Sequence, residues 1–197
     1  MSLKKIVSKK GGGDESAPKF KIRNTGGSAE ALPPEGRTDV VIRGIVALGT
    51  QRSKNAKGEE YIQPRIALVC EAPDHLGTDG LLLQIAKTDG ESLRPTSNLA
   101  IDLVNAFDLD EEGLQGVAKD LGILLRQTLS ANVVHQQRER FKNAVLEDIQ
   151  PASEEKLLVW EPLIFTDPTA KDLSPLEDAP PLVRNMVKKC EERKLPR

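Results

Sequence analysis

Two β-rich runs around a short polar loop dominate the hydrophobic pattern of the first half of the chain. Val40, Ile42, Ile45 and Val46-Ala47-Leu48 lead into Gly49-Thr50, and Tyr61 to Glu71 follows the loop from Arg52 to Glu60. β-Branched runs of this length, bounded by Gly and polar residues, predict strands. Gly44 interrupts the first run, which inside a strand marks a bulge or a sharp bend. Pro64 predicts that the second strand lies at an edge or bulges near its start. Pro73 to Gly80 is turn chemistry, and Leu81–Lys87 supplies a third strand.

The period then changes. Thr96-Ser97-Asn98 precedes apolar residues at spacings of three and four up to Phe107, a short capped helix. Asp108–Glu112 reads as an acidic turn and Gly113–Asp120 as a helical turn or loop. Leu121–His135 reads as a strand, although Leu121, Leu124, Leu125 and Leu129 also fit helical spacing. A charged hairpin turn over Arg138–Arg140 leads to a last strand through Phe141, Val145 and Ile149, stopped at Pro151. Lys156–Phe165 is a further extended segment, and a Pro- and Asp-rich linker runs to Pro180. Pro181–Lys194 carries Leu182, Val183, Met186, Val187 and Cys190 at helical spacing, with Pro181 at the favoured start.

Three strands, a helix and two strands is the element order of the OB-fold, a five-stranded, partly open Greek-key barrel. A small β-sandwich is the structural rival. The predicted organisation is a disordered basic arm over 1–36, an OB-fold domain over 37–152 and an extension with linker and amphipathic helix over 153–197.

Composition narrows the function classes. The net charge of -2 does not suit indiscriminate coating of nucleic acid, but the charge is segregated along the chain. Residues 1–28 hold seven Lys or Arg against Asp14 and Glu15, while residues 66–125 hold eleven acids against Lys87, Arg94 and Lys119. The two cysteines make no disulfide framework and no zinc-ligand spacing, which points to a reducing compartment with Cys70 as a small buried residue. No apolar run is long enough to span a membrane, and the basic N-terminus lacks a signal peptide's apolar core. His75 and His135 read as surface residues. No nucleophile elbow, Walker loop or metalloprotease motif is present, so neither catalysis, a cofactor nor a metal site is expected.

Outside the leading tail the chain is acidic, and against that background the first loop stands out. Single strands are held by cations along a groove and by flat side chains on which bases stack. Arg43, Arg52, Lys54, Lys57 and Arg65 cluster within one predicted hairpin, and Lys87, Arg126, Arg138 and Arg140 are further candidates. Each is individually as readable as a solvated surface charge. Tyr61 beside the loop is the main stacking candidate and Phe141 the second; Phe107 reads as core, and Trp160 lies where it docks the tail.

Arg43-Gly-Ile-Val-Ala-Leu-Gly-Thr-Gln51, the Lys/Gly loop and Arg65-Ile-Ala-Leu-Val-Cys-Glu71 resemble the OB-fold single-stranded DNA-binding proteins of tailed bacteriophages. Asn143 to Pro151 is similar to that family's closing strand. The resemblance spans residues 37–152 and implies a non-enzymatic single-stranded DNA-binding protein in phage replication or recombination, working in the cytoplasm of a bacterial host. The chain departs from the family in ending on a basic amphipathic helix rather than an acidic tail, and in having few aromatics. That helix offers its apolar stripe to replication or recombination proteins, to a second copy of the chain, or to its own barrel. The rival function is a phage structural or assembly protein that uses a small β-barrel as an interaction module.

Overall fold

The computed structural model of the 197-residue chain describes residues 32–54, 57–76, 82–138 and 141–194. The protein is mainly β. Its strands are β1 (Gly36–Lys54), β2 (Glu60–Leu76), β3 (Leu82–Gly90), β4 (Thr128–Arg138), β5 (Phe141–Pro151) and the short β6 (Leu163–Phe165). Between β3 and β4 lie α1 (Asn98–Phe107), α2 (Glu111–Lys119) and a 3-10 turn, Leu121–Leu124. After β6 come α3 (Pro181–Lys188) and α4 (Glu191–Lys194). No described helix is long and apolar enough to cross a membrane. The expected arm over 1–36 lies outside the described residues up to residue 31. Gly36 already belongs to β1, and Pro33 and Glu35 are tied to His135.

One six-stranded sheet runs in the order β3-β2-β1-β4-β5, antiparallel throughout, and β6 joins the free edge of β1 in parallel. The sheet is open: β3 and β5 are the two ends of the path, with no ladder between them among the described residues. A side chain bridges that gap, because the Lys87 Nζ reaches the Leu146 carbonyl at 3.5 Å. Helix α1 covers the same gap. Ser97 caps it, accepting from the Ala100 N–H, and its buried face is Leu99, Ala100, Leu103 and Ala106.

β1 is long because it serves different neighbours along its length. Gly36–Val41 pairs with β4, while Val41–Lys54 pairs with β2. Two register shifts bend it, between Ile42 and Gly44 and between Ala47 and Gly49. Gly44 therefore sits at the bulge expected of it, and it also lets β6 approach. A Cβ at Gly44 would come within 2.8 Å of the Leu163 Cβ. Pro64 falls just past the last β2–β3 pair, Arg65↔Gly90, where its missing N–H costs no ladder bond to β3.

Alternation along these strands feeds two cores. Ile42, Ile45, Ile66, Leu68, Cys70 and Ile85 point inward to α1, β4 and β5. Val46, Leu48, Ala67, Val69 and Ala86 point to the opposite face and are buried under Leu163, Phe165, Leu176, Val183 and Val187 of the extension. Burial pushes the Cys70 thiol up to about 12, so it stays a protonated packing residue.

Three expectations change. Leu121–His135 is divided: Leu121 and Leu124 lie in the 3-10 turn, Leu125 caps it, and the strand that holds Leu129 starts at Thr128. Residues 181–194 form two helices, with a break at Lys189-Cys190 rather than one continuous run. His75 and His135 are half-buried: His75 Nε2 lies 3.2 Å from Thr38 Oγ1, and His135 Nε2 lies 2.7 Å from the Pro33 carbonyl.

Candidate nucleic-acid interface

β1 and β2 outrun β3. Their pairing continues from Thr50↔Pro64 to Lys54↔Glu60, beyond the last β2–β3 pair, so a two-stranded arm projects from the sheet. The arm carries Arg52, Lys54 and Tyr61, with Lys57 in its turn; the pairs Arg52↔Ile62, Ser53↔Tyr61 and Lys54↔Glu60 set Tyr61 on the face opposite Arg52 and Lys54. All four are exposed; Tyr61 is 40 % accessible and its neighbour Ile62 61 %. Tyr61, Gln63 and Arg65 share one face by alternation. Arg65 is half-buried and donates from Nη2 to the Thr88 carbonyl at 2.9 Å.

The arm's cations are loosely held. Glu60 lies 3.2 Å from Arg52 and 3.9 Å from Lys54, and Glu191 lies 3.6 Å from Arg52. The Glu60 hydrogen bond, with help from Glu191, raises the Arg52 guanidinium above its ordinary range, which keeps it charged. Exposed pairs of this kind are weak and screened by salt, so a phosphate competes with them readily.

Arg43 is a different case. It is the unpaired residue of the first bulge in β1 and only 4 % exposed. Its Nε donates to the Glu161 carbonyl at 3.2 Å and its Nη1 to the Asp178 carbonyl at 3.1 Å. The Trp160 ring centroid lies 5.8 Å from the guanidinium carbon. Glu71, fully buried, stands 3.9 Å away and accepts from the Val159 N–H at 3.1 Å. Burial lowers Arg43 and raises Glu71 from their ordinary values, outweighing their mutual attraction. The phosphate contact expected of Arg43 is therefore replaced by an internal one that clamps the extension.

Lys87 is also corrected. It points inward at Leu68, Cys70 and Leu103, 2.9 Å from Asp102 and 3.6 Å from Asp89. Burial works against its charge, but Asp89 and Asp102 outweigh it and hold the ammonium above its ordinary range. Arg126 is exposed but remote from the arm; its N–H bonds the Ile42 carbonyl and its φ is 68°. The β4–β5 turn lies beyond Gly36, at the opposite end of β1 from the arm, because Gly36 pairs with Val133. Arg138 and Phe141 pair there through their backbones, and Arg140 lies outside the described residues. The ten described candidates thus resolve into one cluster on the arm with Arg65 at its root, two internal cations, and a distant set of Arg126, Arg138 and Phe141.

No family model matches this chain, and no curated protein matches it significantly.

The structure adds a set of residues that the hairpin reading did not single out. Gly49, at φ 68°, lies so close to α4 that a Cβ would meet the Cys190 Cβ at 2.8 Å. The Thr50 N–H and hydroxyl both donate to the Glu192 carboxylate, at 2.9 and 2.5 Å. Gln51 donates from Nε2 to the Met186 carbonyl at 3.1 Å. Arg43, Gly44, Gly49, Thr50, Gln51 and Glu71 all touch the extension, so the most distinctive stretch of sequence is a seat for the chain's own C-terminal segment. A signal for this existed. Ile66–Cys70 is continuously apolar, as strands covered on both faces are.

Proposed function

We propose that the protein is a non-catalytic single-stranded DNA-binding protein of a bacteriophage, built on an OB-type barrel and acting in replication or recombination in the bacterial host. The observation that carries this reading is the projecting arm, which places Arg52, Lys54, Lys57 and Tyr61 on one exposed hairpin. The strand order, with the helix inserted between β3 and β4, supports the OB-type assignment. An arm that carries cations and, on the face opposite Arg52 and Lys54, one aromatic suits a ligand that is held chiefly by its phosphates, with base stacking second. The test is fluorescence anisotropy with labelled oligo-dT, duplex DNA and single-stranded RNA across a salt series. Preferential binding of oligo-dT with a steep salt slope supports the reading; no binding at low salt overturns it.

A second reading is an assembly protein of the same phage. Leu157, 83 % exposed, and the exposed Val159 and Ile164 along the extension favour it, since apolar residues lying close on one segment suit a protein partner. Under either reading the apolar stripe Val183, Val187 and Cys190 is spent on the chain's own sheet, which leaves replication partners and a second copy to other surfaces.

A further inference from the structure

We propose that α3 and α4 form the second half of the nucleic-acid surface, with Lys188 and Lys189 taking phosphates of the same strand that the arm engages. The inference rests on the single-strand-binding reading above and extends it to a segment far away in sequence.

Placement is the first argument. Four contacts fix the C-terminal helices against the root of the arm: Cys190 against Gly49, Glu192 on Thr50, the Met186 carbonyl on Gln51, and Glu191 beside Arg52. Lys188 and Lys189 directly precede Cys190. They therefore stand next to the β1 segment that runs on to Arg52 and Lys54.

Direction is the second. Val183, Val187 and Cys190 are fully buried against the sheet. Lys188 and Lys189, one and two residues past Val187, turn away from that face and are exposed. The third argument is charge. Glu60, Glu191 and Glu192 on this surface are already engaged: Glu60 by Arg52 and Lys54, Glu191 by Arg52 and Lys194, Glu192 by Thr50. Neither Lys188 nor Lys189 has an ion partner within 4.0 Å among the described residues. Both lysines sit at the C-terminal end of α3, Lys188 in its last turn and Lys189 at its C-cap, where a cation also complements the helix dipole, a role that leaves their exposed ammonium groups open to a phosphate.

The experiment is anisotropy of labelled oligo-dT with the full-length wild type and with the Lys188→Gln/Lys189→Gln and Lys188→Arg/Lys189→Arg variants, each over a salt series. A single strand releases counterions with a slope of about -0.7 per neutralised phosphate, so losing two contacts flattens the double-logarithmic slope by about 1.4. The Gln variant is expected to show that flattening and weaker binding at low salt, with the wild-type melting curve. The Arg variant is expected to restore both. Wild-type affinity and slope in the Gln variant overturn the inference while leaving the arm as the site. Failure of the wild type itself to bind oligo-dT overturns the parent reading and this one together.

Discussion

Arg43 and Arg52 lie on the same strand and meet opposite fates. Arg43, itself buried, faces Trp160, the Glu161 and Asp178 carbonyls and the fully buried Glu71. Arg52 faces Glu60 and Glu191 in the open. The difference lies in what covers the strand. Over the first bulge, β6 and the segment before it lie on β1; past Gln51, β1 and β2 project beyond β3, with Glu191 of α4 beside Arg52 at the root. A cation in the covered part is spent on holding the chain together, and a cation in the bare part stays available to a ligand.

Breaking the covered half gives the largest effect. Arg43→Met leaves the Glu71 carboxyl buried without its cation, and loss of one partner of a buried pair costs about 3–5 kcal/mol. Urea denaturation measures this, and a stability within about 1 kcal/mol of wild type would show that the clamp is not a clamp. The arm supplies the contrast. Arg52→Ala/Lys54→Ala/Lys57→Ala is expected to leave the urea midpoint unchanged, weaken oligo-dT binding and flatten its salt slope by about 2. An arm variant that unfolds early while binding normally would reverse the assignment of the two regions.

Gly44 offers a subtler way to sharpen the comparison. Its missing side chain is what allows β6 to lie on β1, since a Cβ would stand 2.8 Å from the Leu163 Cβ and 2.9 Å from its carbonyl oxygen. Gly44→Ala therefore forces β6 outward, at a cost of about 2 kcal/mol for overpacking. The extension should become sensitive to limited proteolysis near residues 157–165 before the rest of the sheet. Cleavage that stays at wild-type rates would mean that the seat absorbs the methyl group.

Much of the sheet was legible because the β-branched runs, Gly44 and the Ser97 cap each carry a local signal. The arm was legible for the same reason: its cations and Tyr61 lie within one hairpin, and their exposure depends on neighbours close in sequence. Arg43 and Lys87 were not. A charge in a strand reads as a surface charge, and the groups that bury these two come from Trp160, Asp178 and Asp102, on other elements. The open edge between β3 and β5 was equally hidden, because closing a sheet is a property of strand tilt and stagger rather than of any residue pattern. The 3-10 turn at Leu121–Leu124 did carry helical spacing, but it runs directly into a β-branched strand and the segment reads most easily as one extended run.

The smallest expected effect comes from acid, and it again separates the two regions. Asp39 and Glu192 clamp opposite ends of the extension. For Asp39, burial acts to raise the carboxyl, but hydrogen bonds from Ser153, Glu154 and Ser130 outweigh it and hold it below its ordinary value. Glu192 behaves likewise: burial opposes its charge, and the Thr50 hydroxyl and N–H outweigh it. A carboxylate depressed in the folded state stabilises above its unfolded pKa, about 4, and loses that contribution as pH falls through the depressed value. Glu71 acts in the opposite sense, because burial raises it and the folded form gains from protonation first. The docked extension should therefore hold through the mildly acidic range and loosen only below about pH 4. Trp160, the single tryptophan, reports this directly through its fluorescence, since it stacks on Arg43 within the seat. Thr50→Val removes the hydroxyl donor, brings Glu192 back toward its ordinary value and should move the Trp160 transition to higher pH. A transition unmoved by Thr50→Val would mean that Glu192 does not hold the C-terminal helices, and the covered region would then rest on Arg43 and the apolar layer alone.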